Sequence, residues 1–166
     1  DPKIDLIVIP TPNDTHFPLA KAALEAGKHV VVDKPFTVTL SQARELDALA
    51  KNLGRVLSVF HNRRWDSDFL TLKSIFADGA LGEITYFESH FDRYRPEIRN
   101  RWREQAGPGS GIWYDLAPHL LDQAVNLFGL PVSLTVDLAQ LRPGSQATDY
   151  FHAVLSYPQR RVVLHG

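Results

Sequence analysis

Apolar residues in the first third of the chain fall into two alternating rhythms. Asp5-Leu6-Ile7-Val8-Ile9-Pro10 is an unbroken apolar run stopped by proline, the pattern of a strand buried on both faces. Turn residues follow at Thr11-Pro12-Asn13-Asp14-Thr15, and several of them are able to cap a helix. From His16 to Ala26 the apolar residues Phe17, Leu19, Ala20, Ala23 and Leu24 recur at helical spacing, and Gly27 suits the position just past a helix end. His29-Val30-Val31-Val32-Asp33 reads as a second buried strand, ended by Lys34-Pro35. Thr39-x-x-Gln42 has the form of a capping box and opens a helix through Leu53, which Gly54 closes. Val56–Phe60 completes a strand–helix–strand–helix–strand order, which implies parallel pairing with right-handed crossovers.

Beyond residue 60 the pattern changes. It predicts a helix over Ser67–Ala77, a strand over Ile84–Phe91, an irregular arginine-rich stretch to Gly107 and a helix over Ile112–Phe128. Strands then follow at Ser133–Leu138, Tyr150–Tyr157 and Arg161–His165. The chain therefore reads as an α/β portion, residues 1–60, followed by an α+β domain, residues 61–166.

Composition narrows the chemistry. With 166 residues and 44% hydrophobic positions the chain is long enough for a real core. Eighteen Lys and Arg stand against nineteen Asp and Glu, so no global basic field exists to hold a nucleic acid. The absence of cysteine excludes disulfide scaffolds, thiolate zinc sites and cysteine nucleophiles. No signal-peptide pattern is present, and the composition reads as soluble, globular and cytoplasmic. There is no methionine, even at position 1, so Asp1 is expected to be a processed end or a cut.

Three places could carry chemistry. In open α/β sheets ligands bind beyond the carboxyl ends of the strands, which marks Thr11, Asn13, Asp33, Lys34 and the polar run His61–Arg64. Lys34 at such an end could polarise a hydroxyl or carbonyl oxygen, or could simply pair with Asp33 in solvent. Asp115-x-x-x-His119-x-x-Asp122 sets a carboxylate one helical turn from an imidazole, an arrangement that can tune a general base or serve only as a surface pair. No His-x-x-x-His or His-Glu-x-x-His pair completes a metal site, and no metal is expected. The stretch Arg93–Arg103 holds five arginines with Tyr94 and Trp102, residues suited to a phosphorylated ligand or RNA. Its flanking Asp92, Glu97 and Glu104 favour a solvated loop. The seven histidines share no period, and His29 beside a strand reads as structural.

Taken in order, three motifs resemble the Gfo/Idh/MocA family, the NAD(P)-dependent oxidoreductases related to glucose–fructose oxidoreductase and inositol dehydrogenase. They are Asp5–Pro10-Thr11-Pro12-Asn13-x-x-His16, then Gly27-Lys28-His29-Val30-x-x-Asp33-Lys34-Pro35, then Gly109-Ser110-Gly111-x-x-x-Asp115-x-x-x-His119-x-x-Asp122. The resemblance implies a Rossmann-type parallel sheet followed by an α+β domain with an open, mostly antiparallel sheet. It implies hydride transfer between nicotinamide (NAD or NADP) and a sugar, polyol or related hydroxyl compound. His119 would be the acid/base, Asp115 its orienting partner, and Lys34 the group that steadies the substrate oxygen. Thr11, Pro12, Asn13, His16, Asp33, Lys34, Trp102 and Arg103 would line the cofactor.

Asp33 stands where the family usually has Glu, and Ala117 where Gly is common. The family's G-x-G-x-x-G turn does not occur, so the chain is expected to be truncated at its N-terminus and also at its C-terminus, and to bind dinucleotide poorly alone. A small-molecule substrate, no nucleic acid, no membrane, and a homo-oligomer formed through the second-domain sheet complete the expectation. The alternative is a non-catalytic sugar- or nucleotide-sensing member of the same fold.

Overall fold

The computed structural model describes residues 1–166, which divide into two compact units, Asp1–Phe60 and His61–Gly166. No helix is long and apolar enough to cross a membrane.

The first unit is a three-stranded parallel sheet in the order β1-β2-β3, with β1 Leu6–Ile9, β2 His29–Asp33 and β3 Leu57–Phe60. Helix α1 spans His16–Glu25 and α2 spans Leu40–Leu53. Residue 27 takes φ +74°, where glycine carries no Cβ penalty, and the Gly27 and Lys28 N–H groups donate back to Leu24 and Ala23. The predicted capping box forms: Thr39 Oγ1 accepts the Gln42 N–H while Gln42 Oε1 accepts the Thr39 N–H.

One expectation needs correction. The strands are not buried on both faces. Ile9, Val30 and Val32 pack with Leu24, Leu46 and Ala50, whereas Leu6 and Val8 on the other face remain exposed. Sequential strand order with same-handed crossovers puts α1 and α2 on one face, so one layer of helices covers one side only. His29 is structural as expected: its Nδ1 accepts the Val56 N–H at 2.9 Å and fixes the entry to β3.

The second unit contains α3 Ser67–Ala77, β4 Tyr86–His90, α4 Gly111–Phe128, β5 Ser133–Ala139, β6 Tyr150–Ser156 and β7 Arg161–His165. Its four-stranded sheet runs β4-β7-β6-β5. The β5–β6 and β6–β7 pairs are antiparallel, and β4 joins β7 in parallel. Leu116, Ala117, Leu120 and Ala124 on one stripe of α4 pack against Phe151, Ala153, Leu155, Val162 and Leu164 from one face of the sheet. An aromatic cluster of Phe76, Phe87 and Phe128, with ring centroids 5.4–6.4 Å apart, closes one side of this core.

The first residue of α4 needs to be glycine for two reasons. Gly111 has φ +88°, and a Cβ there would lie 2.9 Å from both the N and O of Thr148. Its neighbour Ile112 donates its N–H to Thr148 O at 2.6 Å, so the β5–β6 connection is held against the helix start. Gly111→Ala should therefore cost about 2–4 kcal/mol from left-handed strain and backbone overlap together. Gly54→Ala also sits at positive φ but meets nothing within 4 Å, and should cost only about 1 kcal/mol. Denaturant midpoints of the two variants test this; equal losses would remove the overlap from the account.

Candidate functional site

In the first unit the candidate residues lie past the carboxyl ends of β1 and β2. Thr11 opens the loop after β1, whose Asn13–Thr15 segment forms a single 3₁₀ turn leading into α1. Pro12 is exposed there and Asn13 is buried. Thr15 Oγ1 lies 2.6 Å from Thr11 Oγ1 and donates to Pro12 O, so the turn is braced internally and the expected side-chain cap on α1 does not form. His16 is fully buried, with Nε2 2.9 Å from Thr11 O and Nδ1 2.8 Å from Pro35 O. It thus ties the loop after β1 to the loop after β2, a bracing role that motif spacing alone did not reveal. Asp33 Oδ1 accepts the Lys34 N–H at 2.8 Å, and the Lys34–Pro35 peptide is cis. Lys34 is half-buried above a buried Pro35.

The carboxyl ends of two parallel strands present a short polar turn and a half-buried lysine held in fixed backbone, the environment in which open α/β sheets bind nucleotides. Their chemistry suits a nicotinamide nucleotide.

In the second unit, α4 sets Asp115 and His119 one turn apart. His119 is buried, with its ring edge-on to Phe91 at 6.4 Å. Asp115 lines a cleft together with Arg93, Arg95, Arg101, Arg103 and Arg142. Arg103 stacks on Trp102, guanidinium carbon to ring centroid 4.4 Å, and brings its Nε within 3.5 Å of Asp115 Oδ1. Asp122, the last member of the helix motif, instead accepts a two-pronged bond from Arg64 at 2.6 and 2.7 Å. That pairing marks it as structural.

The arginine-rich stretch is largely the solvated loop that its acidic flanks suggested, with Arg93, Tyr94, Glu97 and Arg99 exposed, but its end is anchored by a buried carboxylate. Glu104 is buried, accepts the Arg99 N–H and Arg101 Nε, and lies 3.2 Å from Arg142 Nη1. Arg142 reaches it from the β5–β6 connection while also donating Nε to Asp149 Oδ2 at 2.9 Å and Nη1 to Arg95 O. Burial pushes both carboxyl groups up, but for Glu104 the Arg99 N–H with Arg101 and Arg142, and for Asp149 the Leu141 N–H with Arg142, hold each below its ordinary value. Arg95 is lowered by burial and by its neighbours Arg93, Arg101 and Arg99, which records surplus positive charge in the cleft. Asp115 and this donor-rich wall can bind hydroxyl or anionic oxygens. Arg142 and Asp149 went unnoticed in the sequence because neither belongs to a motif and their partners are remote along the chain.

The comparisons with known proteins agree along the whole length. Residues 1–61 match a model described as the oxidoreductase family, NAD-binding Rossmann fold, and residues 69–166 match the GFO/IDH/MocA C-terminal domain. Over all 166 residues the chain is 87% identical to the oxidoreductase YdgJ of Escherichia coli, covering 48% of it. It is 42% identical to the scyllo-inositol 2-dehydrogenase (NADP(+)) IolW of Bacillus subtilis, covering 46% of that protein. A solved oxidoreductase structure from Yersinia pestis superposes with a TM-score of 0.92 at 76% identity, over 99% of this chain and 46% of that one. The yvaA oxidoreductase structure from Bacillus subtilis gives 0.95 at 40% identity, over 100% and 47%. The chain spans about half the length of the curated relatives it matches. Its two units carry, in order, the two halves of one family signature, and the chain belongs to the Gfo/Idh/MocA family of NAD-binding oxidoreductases.

Proposed function

We propose that the protein to which this chain belongs transfers a hydride between nicotinamide and a sugar, polyol or related hydroxyl compound. The observation that carries the reading is the retention, in family order, of Lys34 past the end of β2 and of Asp115 and His119 on α4. His119 accepts the proton of the substrate hydroxyl as the alcohol is oxidised and returns it in the reverse direction. Asp115 orients that imidazole and stabilises its charged form. Lys34 places an ammonium where negative charge develops on the substrate oxygen. Thr11, Pro12, Asn13, His16, Asp33, Trp102 and Arg103 hold the cofactor, which supplies the hydride acceptor or donor. Self-association through the sheet face opposite α4 belongs to the same reading, and nucleic acid does not.

The test is turnover by the complete gene product, with NAD and NADP compared, across a panel of sugars and cyclic or linear polyols. The expected result is absorbance change at the reduced nicotinamide band with at least one hydroxyl substrate. Cofactor binding with no reduction across the panel would turn the reading toward a sensing member of the fold.

A further inference from the structure

Three of the seven histidines, which share no spacing along the chain, come together through strand pairing. In the second sheet His90 of β4 lies opposite His165 of β7, and His165 lies opposite His152 of β6. The row falls on the face turned away from α4, because Ser89, Leu164 and Ala153, one residue along, point toward the helix side of the sheet. Asp92 follows β4 by two residues and comes back over the same row, with Oδ1 2.6 Å from His165 Nδ1 and Oδ2 3.2 Å from His90 Nδ1. One donor atom from each of His90, Asp92 and His165 lies within 4.8 Å of the other two.

We propose that His90, Asp92 and His165 form a binding site for a divalent transition metal of the zinc–cobalt–nickel class. Two imidazoles and one carboxylate are the donor set that such ions favour over magnesium or calcium, which take oxygen ligands. Donors on a tetrahedral ion with bonds of about 2.0–2.1 Å sit roughly 3.3 Å apart, so side-chain torsions alone close the set without moving a strand.

A second feature points the same way. Glu88 Oε1 lies 2.9 Å from His90 Nε2, so one nitrogen of that ring is held by a carboxylate while the other faces Asp92 and His165. A ligating histidine characteristically uses its second nitrogen in this way, to fix tautomer and ring angle. Glu88 is thus a positioning residue. The three ligands come from one chain, with His90 and Asp92 exposed and His165 part-buried, so the remaining coordination positions fall to water or, where this sheet face self-associates, to a second copy. All four residues lie apart from Asp115 and His119 in the pairing of the fold, on the opposite face of the sheet from α4, so the site does not depend on the proposed oxidoreductase chemistry.

The test uses the tag-free complete gene product, stripped with chelator and titrated with Zn²⁺ by calorimetry and with Co²⁺ by visible absorption. One equivalent of either ion per chain, reversed by EDTA, is expected. Asp92→Asn, His90→Ala and His165→Ala should each weaken binding at least tenfold, and Glu88→Gln about tenfold. Asp92 is 55% exposed, so its substitution leaves the packed strands intact and keeps the test valid if a histidine variant misfolds. Binding that is absent in the wild type, unchanged in Asp92→Asn with His165→Ala, or tighter for Mg²⁺ than for Zn²⁺ would overturn the proposal.

Discussion

His119→Asn in the complete gene product should lower kcat by about 10²–10⁴-fold, the range for a positioned general acid/base, with KM for the hydroxyl substrate changing much less. Asparagine keeps a polar side chain of similar width, so the environment against Phe91 is disturbed less than by alanine. Lys34→Ala should cost about 10²–10³-fold in kcat, the scale for removing one donor from a developing oxyanion. The two losses have different signatures. Without His119 the proton has no acceptor, and an added small base such as imidazole should restore part of the rate. Without Lys34 no such rescue is expected. Wild-type rates in both variants on a confirmed substrate would remove the role assignment, while loss in both with intact folding supports it.

Arg142→Ala should destabilise the second unit by about 3–5 kcal/mol, the cost of leaving buried carboxylates without their cation. Glu104 and Asp149 are 7% and 5% exposed at their side chains, and one guanidinium serves both. Arg101 still pairs with Glu104, and the Arg99 and Leu141 N–H groups remain, which favours the lower end of the range. The same carboxylates predict the acid response. Each has a folded-state pKa below its unfolded value, so its stabilisation is fully present above the unfolded value and is lost as pH falls through the folded one. Wild-type stability should therefore decline below about pH 4.5, and Arg142→Ala should show a weaker decline over that window. Urea midpoints for both proteins across pH 3–7 would check both points, and parallel curves would exclude the pairing as the cause.

Much of this was legible in the chain. The helix boundaries at Thr39 and Gly54 follow from local chemistry: a hydroxyl three residues before a glutamine, and a glycine free to turn left-handed. The strand–helix alternation led to the parallel sheet, and the motif order led to the family. What stayed hidden depends on pairing between distant segments. Apolar runs at Leu6–Ile9 looked buried on both faces because a run of valines and isoleucines carries no record of how many helices will cover it. Glu104 looked solvated because Arg142, one of its two cations, comes from a segment 38 residues further along the chain. His90 and His165 looked scattered because only the parallel register of β4 with β7 makes them neighbours.

The reach of Arg142 has an evolutionary consequence. It fastens the segment bearing Arg95, Glu97 and Glu104 to the connection bearing Asp149, and both segments border the cleft. Neither can lengthen, shorten or drift in sequence alone without stranding a charge in the other. Substitutions that reshape this cleft are therefore expected to arrive as matched changes in both segments, the pair varying as one unit rather than as two independent loops.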